Sequence, residues 1–140
     1  MSVGKVLQDM NQISAAIYLT LQQGTALTAL LAGTNSIYKD SAGTAAYPYV
    51  VFNLQGGGEA NETPNREKNV VYFIRAYTKT STASAGNIDA QIDNLLHGKT
   101  LSISGRNNYW TAREGEFEGT EYLSNGEPVF YAGALYRIKC

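Results

Sequence analysis

Apolar residues recur at steps of four and three through Val6, Met10, Ile13, Ile17 and Leu21. That spacing puts them on one face of a helix from about Val3 to Gln22, which Gly24 ends. Thr25 fits the N-cap of a shorter helical segment, ALTALLAG, that buries Leu27, Leu30 and Leu31 before Gly33 stops it. The run SIYKDSAGTAAYP is then rich in turn formers, and Pro48 suits the first residue of a strand because its φ is fixed and it has no N–H to donate. From there the pattern changes from helical to extended. Tyr49 to Leu54 reads as a strand, and NVVYFIRAYTK, dense in β-branched and aromatic residues, as a longer one that pairs with it and emerges into solvent near Arg75 and Lys79. Ser84 caps a second amphipathic helix with Ile88, Ile92, Leu95 and Leu96 on one face, Asp89 and Asp93 turned to water, and Gly98 as its stop. LSISGRNNYWTAREGEFEG reads as one or two extended segments broken at Gly105, with Asn107 and Asn108 as turn material and Trp110 packed on the core. After the turn SNGEP, VFYAGALYRIK alternates as a final strand in which Gly133 marks a bulge or a close backbone approach.

Between the first two strands lies QGGGEANETPNREK, a loop expected from Gln55 to Lys68. Its three glycines maximise chain freedom and it has few apolar groups to offset the entropy of ordering, so it is mobile when alone. Compact domains rarely keep such loops without using them for binding. The triglycine Gly56, Gly57 and Gly58 is read as a flexible stem in preference to an anion nest, since no helix follows it.

Length and composition narrow the function. The 140 residues fit one domain with one core. A charged share of 16% against 44% hydrophobic is short of solvating surface, which implies that partners cover some of it. Eleven Lys and Arg against twelve Asp and Glu, a net charge of -1, give no footprint of a tight nucleic-acid binder. The single cysteine, Cys140, allows no internal disulfide or metal cage, and polar residues interrupt the N-terminal apolar stretch, so a soluble protein made in the cytoplasm without a signal peptide or membrane span is expected.

Candidate chemistry is sparse. HGKT at His97 to Thr100 resembles the end of a phosphate-binding loop, but Asp93 stands where that loop needs its first glycine and the string follows a helix instead of a strand. A helix C-cap explains it better, with His97 complementing the carbonyl end of the helix dipole. EGEFEG sets Glu114, Glu116 and Glu118 two apart, so a regular strand projects all three from one face. Such a trio suits a solvated face better than acid–base catalysis or calcium binding. One histidine gives no basis for a hydrolytic triad, and Asn61-Glu62-Thr63 matches a glycosylation pattern by chance in a chain without a secretion signal. Ten tyrosines are a real excess, shared between half-buried strands and interfaces. No cofactor, metal or catalytic residue is expected.

Three stretches carry a family resemblance: ALTALLAG to IYKD at Ala26 to Asp40, YPYVVFNL at Tyr47 to Leu54, and VVYFIRAYTKTSTASAGNIDAQIDNLL at Val70 to Leu96, followed by the closing VFYAGALYRIK strand. In order and spacing the chain resembles the tail terminator, or tail completion, family of long-tailed bacteriophages. The resemblance implies an α+β fold, an antiparallel sheet of about four to five strands with two main helices packed on one face. It also implies a structural virion protein, not an enzyme, that caps the head-proximal end of the tail tube as a hexameric ring, ends tube polymerisation and offers the docking surface for the head. The implied partners are further copies of itself, the tail tube protein and the neck proteins of the head–tail connector, with DNA passing through without specific binding. A head-side adaptor or stopper in the neck would use the same ring logic, and a monomeric α+β peptide-binding module is the alternative of another class. In this frame Gln55, Gly56, Gly57, Gly58, Glu59, Asn61, Glu62, Asn65 and Arg66 form an assembly loop, and Glu114, Glu116 and Glu118 form an acidic face toward the DNA channel.

Overall fold

The computed structural model describes residues 2–59, 68–103 and 110–140, with side chains from residue 11 onward save those of 58 and 59. Within them the chain runs through helix α1 (Ser2–Gln22), a single turn α2 (Thr25–Thr28) and strands β1 (Ile37–Lys39), β2 (Tyr49–Glu59) and β3 (Lys68–Thr78). Helix α3 (Thr82–Leu96) and strands β4 (Trp110–Tyr122) and β5 (Pro128–Lys139) complete it. The strands form one sheet in the order β1-β2-β3-β5-β4, antiparallel throughout except that β1 runs parallel to β2. The α+β expectation holds: five strands, with the two long helices on one side.

Alternation in β3 decides which side. Lys68, Val70, Tyr72, Ile74, Ala76 and Thr78 are buried while the residues between them are half-buried. Tyr72 and Ile74 join Val50 and Phe52 of β2 and Ala134, Tyr136 and Ile138 of β5 in one cluster with Ile13, Ile17 and Leu21 of α1 and Ile88, Ile92 and Leu96 of α3. Side chains two apart on a strand share a face, so the even-numbered residues of β3 and β5 lie under the helices and the odd-numbered ones form the helix-free face. The hydroxyl of Tyr72, buried in this core, is hydrogen-bonded to Ser14 at 2.9 Å, so its polar atom is satisfied where water is excluded.

Several boundaries differ from the sequence reading. Ser81, not Ser84, caps α3: its hydroxyl accepts from the Ser84 backbone N–H at 3.1 Å. The cap of α2 is Gly24 with no side-chain bond, so Thr25 lies inside the turn, and Leu30 is exposed while Leu27 and Leu31 are buried. Strand β1 arises within the run read as turns, and a cis Tyr47–Pro48 bond precedes β2. Strand β2 continues through Gln55 to Glu59, where a loop was expected, with an irregularity between Leu54 and Gly56. Gly57 is no flexible stem: it pairs with Val70 at φ +104, and a Cβ there would collide with the Asn69 carbonyl. Trp110 is half-exposed at the start of β4, not in the core. The expected contributions of Val6 and Met10, and the break at Gly105 to Asn108, lie outside the described side chains and residues.

Candidate interaction surface

The face of the sheet away from the helices is organised in rows across the strands. Register places Tyr49 beside Tyr77 and Tyr77 beside Tyr131, and their rings follow one another at 5.5 and 5.9 Å. Tyr47 and Tyr38 extend the row at 4.8 and 6.0 Å from Tyr49. At its far end the row meets Gly119, where a Cβ would lie 2.9 Å from the Tyr131 hydroxyl. Cross-strand aromatic pairs of this kind stabilise a sheet as a unit.

The next row is Val51, Arg75, Gly133 and Phe117. Arg75 lies in the middle of this face instead of at a solvent-bound strand end. Its Nε donates to the Tyr77 hydroxyl and its guanidinium to Asn53 Oδ1, each at 2.8 Å, and its plane sits 4.7 Å from the Phe73 ring. Gly133 leaves the row open beside it, and Phe117 reaches Phe73 at 5.4 Å. The expected close backbone approach at Gly133 is thus present, with no register shift in β5 at that point.

On the helix side, β4 is fastened through Arg113. Its guanidinium donates to both Asp89 oxygens of α3 at 3.1 and 2.6 Å, to the Tyr136 hydroxyl at 2.8 Å and to Glu116 at 2.9 Å. Burial works against the Arg113 charge, but the hydrogen bonds it donates to Asp89 and the surrounding negative groups outweigh it and hold its pKa above the ordinary arginine value. Burial likewise raises the Tyr136 phenol above its usual range, and Arg113 only partly opposes it. Asp89 is therefore one half of a sheltered ion pair and does not point to water. His97 has a local role: its Nδ1 accepts from the Arg113 backbone N–H at 3.0 Å.

The acidic trio does not share a face. Arg113 opposes Tyr136 and Glu116 opposes Ala134, so the two residues Glu114 and Gly115 stand against Leu135 alone. One extra residue inverts the alternation. Glu114 lies on the helix-free side, where it pairs with Arg137 at 2.7 Å, whereas Glu116 and Glu118 lie on the helix side beside a cleft that also contains Gly86 of α3. Of the assembly-loop residues, Gln55, Gly56, Gly57, Gly58 and Glu59 belong to β2, and Asn61, Glu62, Asn65 and Arg66 lie outside the described residues. Among the described residues no cluster of His, Cys, Asp and Glu could hold a metal, and no helix is long and apolar enough to cross a membrane. Sequence reasoning missed the Arg113 cluster and the tyrosine rows. The odd-numbered Phe73, Arg75 and Tyr77, set against the even apolar run of β3, carried the signal for the rows.

The fold thus has one helix-covered face and one face of aromatic rows. The model of the family described as tail completion protein gp17 matches residues 15–119, from α1 to near the end of β4. The chain belongs to that family. As a tail completion protein it is a structural component of a phage-type virion tail. No curated protein matches the chain. Among solved structures it is similar to a chain described as "Virion of native gene transfer agent (GTA) particle", with a TM-score of 0.72 at 18% identity, over 89% of this chain and 91% of that one. At that identity the likeness shows a common fold, and it extends over more of the chain than the family match does.

Proposed function

We propose that the tail completion protein closes the head-proximal end of the tail tube as a homo-hexameric ring, stops tube growth and presents the surface on which the neck and head dock. The observation that carries the reading is the family match, and two features of the fold support it. The helix-free face presents aromatic rings in fixed rows, and among the described residues β4 ends the sheet with a strand neighbour on one side only. A ring joins one patch to a different patch on the next copy, which suits a sheet with two dissimilar edges, the three-residue β1 and the thirteen-residue β4. The segment from Gln55 to Arg66 contacts the adjacent subunit or the tube. Mass-resolved chromatography with negative-stain imaging of the protein, alone and added to purified tubes, is expected to give closed rings or capped tube ends, and removal of residues 60–66 is expected to reduce both. Virions assembled without the protein that carry tails of normal length joined to filled heads would rule the reading out.

Within that ring, Glu116 and Glu118 face the passage for DNA, where their charge repels phosphate and keeps the strand from sticking. Glu114, paired with Arg137 on the opposite side, has no part in this. Glu118→Lys, which leaves the Arg113–Glu116 pair in place, is expected to slow DNA ejection severalfold while rings still form. Ejection at the normal rate from such particles would exclude the role.

A further inference from the structure

Beside the tyrosine row lies an open cavity of about 320 Å³ bounded by the segment at Asp40 to Tyr47 and by the end of β4. Its lining includes Val51 and Val129, both 3% exposed, which form an apolar base. Its wall is aromatic: the adjoining, mutually tilted rings of Tyr47, Tyr49 and Tyr77. Rings of this row already meet cations, with Lys79 Nζ 5.1 Å from the centre of Tyr47 and the Arg75 guanidinium, itself in the lining, 5.7 Å from that of Tyr77.

Two carboxylates also line the cavity, Asp40 and Glu121. The side chain of Glu121, whose backbone pairs with Val129, has no hydrogen bond or ion pair with any described residue. Asp40 makes a loose 3.9 Å contact with Lys39 in which both side chains are largely exposed. Its backbone is at φ +69, where glycine would be the low-cost choice and a side chain costs roughly 1 kcal/mol. Arg75 is the one cation among the described lining residues; Asn53, Tyr77 and the Phe73 ring hold its guanidinium in place but carry no charge to cancel it. Two carboxylates against one guanidinium still leave the lining with more negative than positive charge beside its aromatic surface. Burial is the main reason that the phenols of Tyr49 and Tyr77 are raised above their ordinary value, and the charge of Glu121 adds to both shifts.

We propose that this cavity receives a cationic side chain, arginine or lysine, from a neighbouring protein of the virion. The cation would lie against the tyrosine wall and meet Glu121 and Asp40, while its aliphatic stem covers Val51 and Val129. An acidic or phosphorylated group would meet repulsion from the same two carboxylates, and a neutral side chain would leave them unanswered. The source of the side chain rests on the tail-assembly reading. The chemistry of the cavity does not.

The test uses the isolated full-length protein, labelled for ¹H–¹⁵N NMR and titrated with N-acetylarginine amide, its neutral isostere N-acetylcitrulline amide, N-acetyllysine amide and N-acetylaspartate amide. Saturable shifts confined to the cavity residues are expected for the two cationic probes, with the citrulline probe about tenfold weaker or worse. The double variant D40G/E121Q is expected to lose about tenfold in affinity for the arginine probe. It should keep its fold, because glycine suits the φ of residue 40 and the pairing of Glu121 with Val129 is made by the backbone, which glutamine retains. Equal binding of citrulline, preference for the aspartate probe, absence of saturation for all probes, or a double variant that binds like the parent would each overturn the proposal. A protein that terminates tails yet ignores the cationic probes sinks the cavity and leaves the ring reading standing. One that binds them yet is dispensable for tail length and head joining does the reverse.

Discussion

Arg113→Met is expected to lower the unfolding free energy by about 3 kcal/mol, read from urea denaturation at neutral pH. The side chains of Arg113 and Asp89 are 14% and 13% exposed, so removal of the guanidinium leaves a carboxylate with little water to replace its two hydrogen bonds. The Tyr136 hydroxyl loses a partner in the same step, and Asp93, 3.9 Å from the guanidinium, adds like charge to Asp89. The pair need not be strongly stabilising for its disruption to be costly, because desolvation offsets much of the attraction when both members are present. Asn at position 89 should therefore recover more than half of the loss in the double variant. A single-variant loss below about 1 kcal/mol would mean that water replaces the guanidinium and that the site is an ordinary surface pair. Since this cluster ties β4 to α3, amide exchange in the variant should quicken in β4 before it does in β3.

Gly133→Ala is expected to cost about 3 kcal/mol in the same assay, and Gly133→Val more. A Cβ at this position would lie 2.5 Å from the Ile74 carbonyl oxygen and 2.6 Å from Arg75 Cβ. The obstruction is mostly backbone of the central strand, held by partners on both sides, so no rotamer change relieves it. Gly86→Ala supplies the control. Gly86 lies inside α3 with open space around its Cβ direction, and alanine there should stabilise by roughly 0.5–1 kcal/mol. If both alanines behave alike, the sheet yields at Gly133 and the row geometry beside it is softer than described.

Helical period in α1 and α3, the dense β-branched and aromatic run of β3 and the alternation of β5 are legible because each element repeats its own signal over ten residues or more. Strand β1 is not: three residues in a Ser- and Gly-rich run give no period, and only pairing with β2 makes them extended. The end of β2 was misread for the opposite reason. Gln55 to Glu59 carry glycines that weaken a strand on propensity alone, yet the ladder to β3 continues through them and uses the positive φ of Gly57. Asp89 seemed solvent-facing because its partner stands 24 residues away on another element. The functional surface was partly visible as a tyrosine excess, but the rows depend on registers among β2, β3 and β5 that no local pattern encodes. Family resemblance pointed to assembly through contact; it could not show where contact chemistry is concentrated.

The doubled position at Glu114 and Gly115 makes β4 sensitive to length in a way that substitutions do not reveal. Deletion of one residue there would restore plain pairing and rotate everything N-terminal to it by half a turn relative to everything after: Arg113 would leave Asp89 or Phe117 would leave Phe73. A relative lacking that residue must therefore have rebuilt one entire side of its outermost strand. Comparisons of surface charge between such relatives should count from the hairpin at Ser124 backwards, not from the start of the strand.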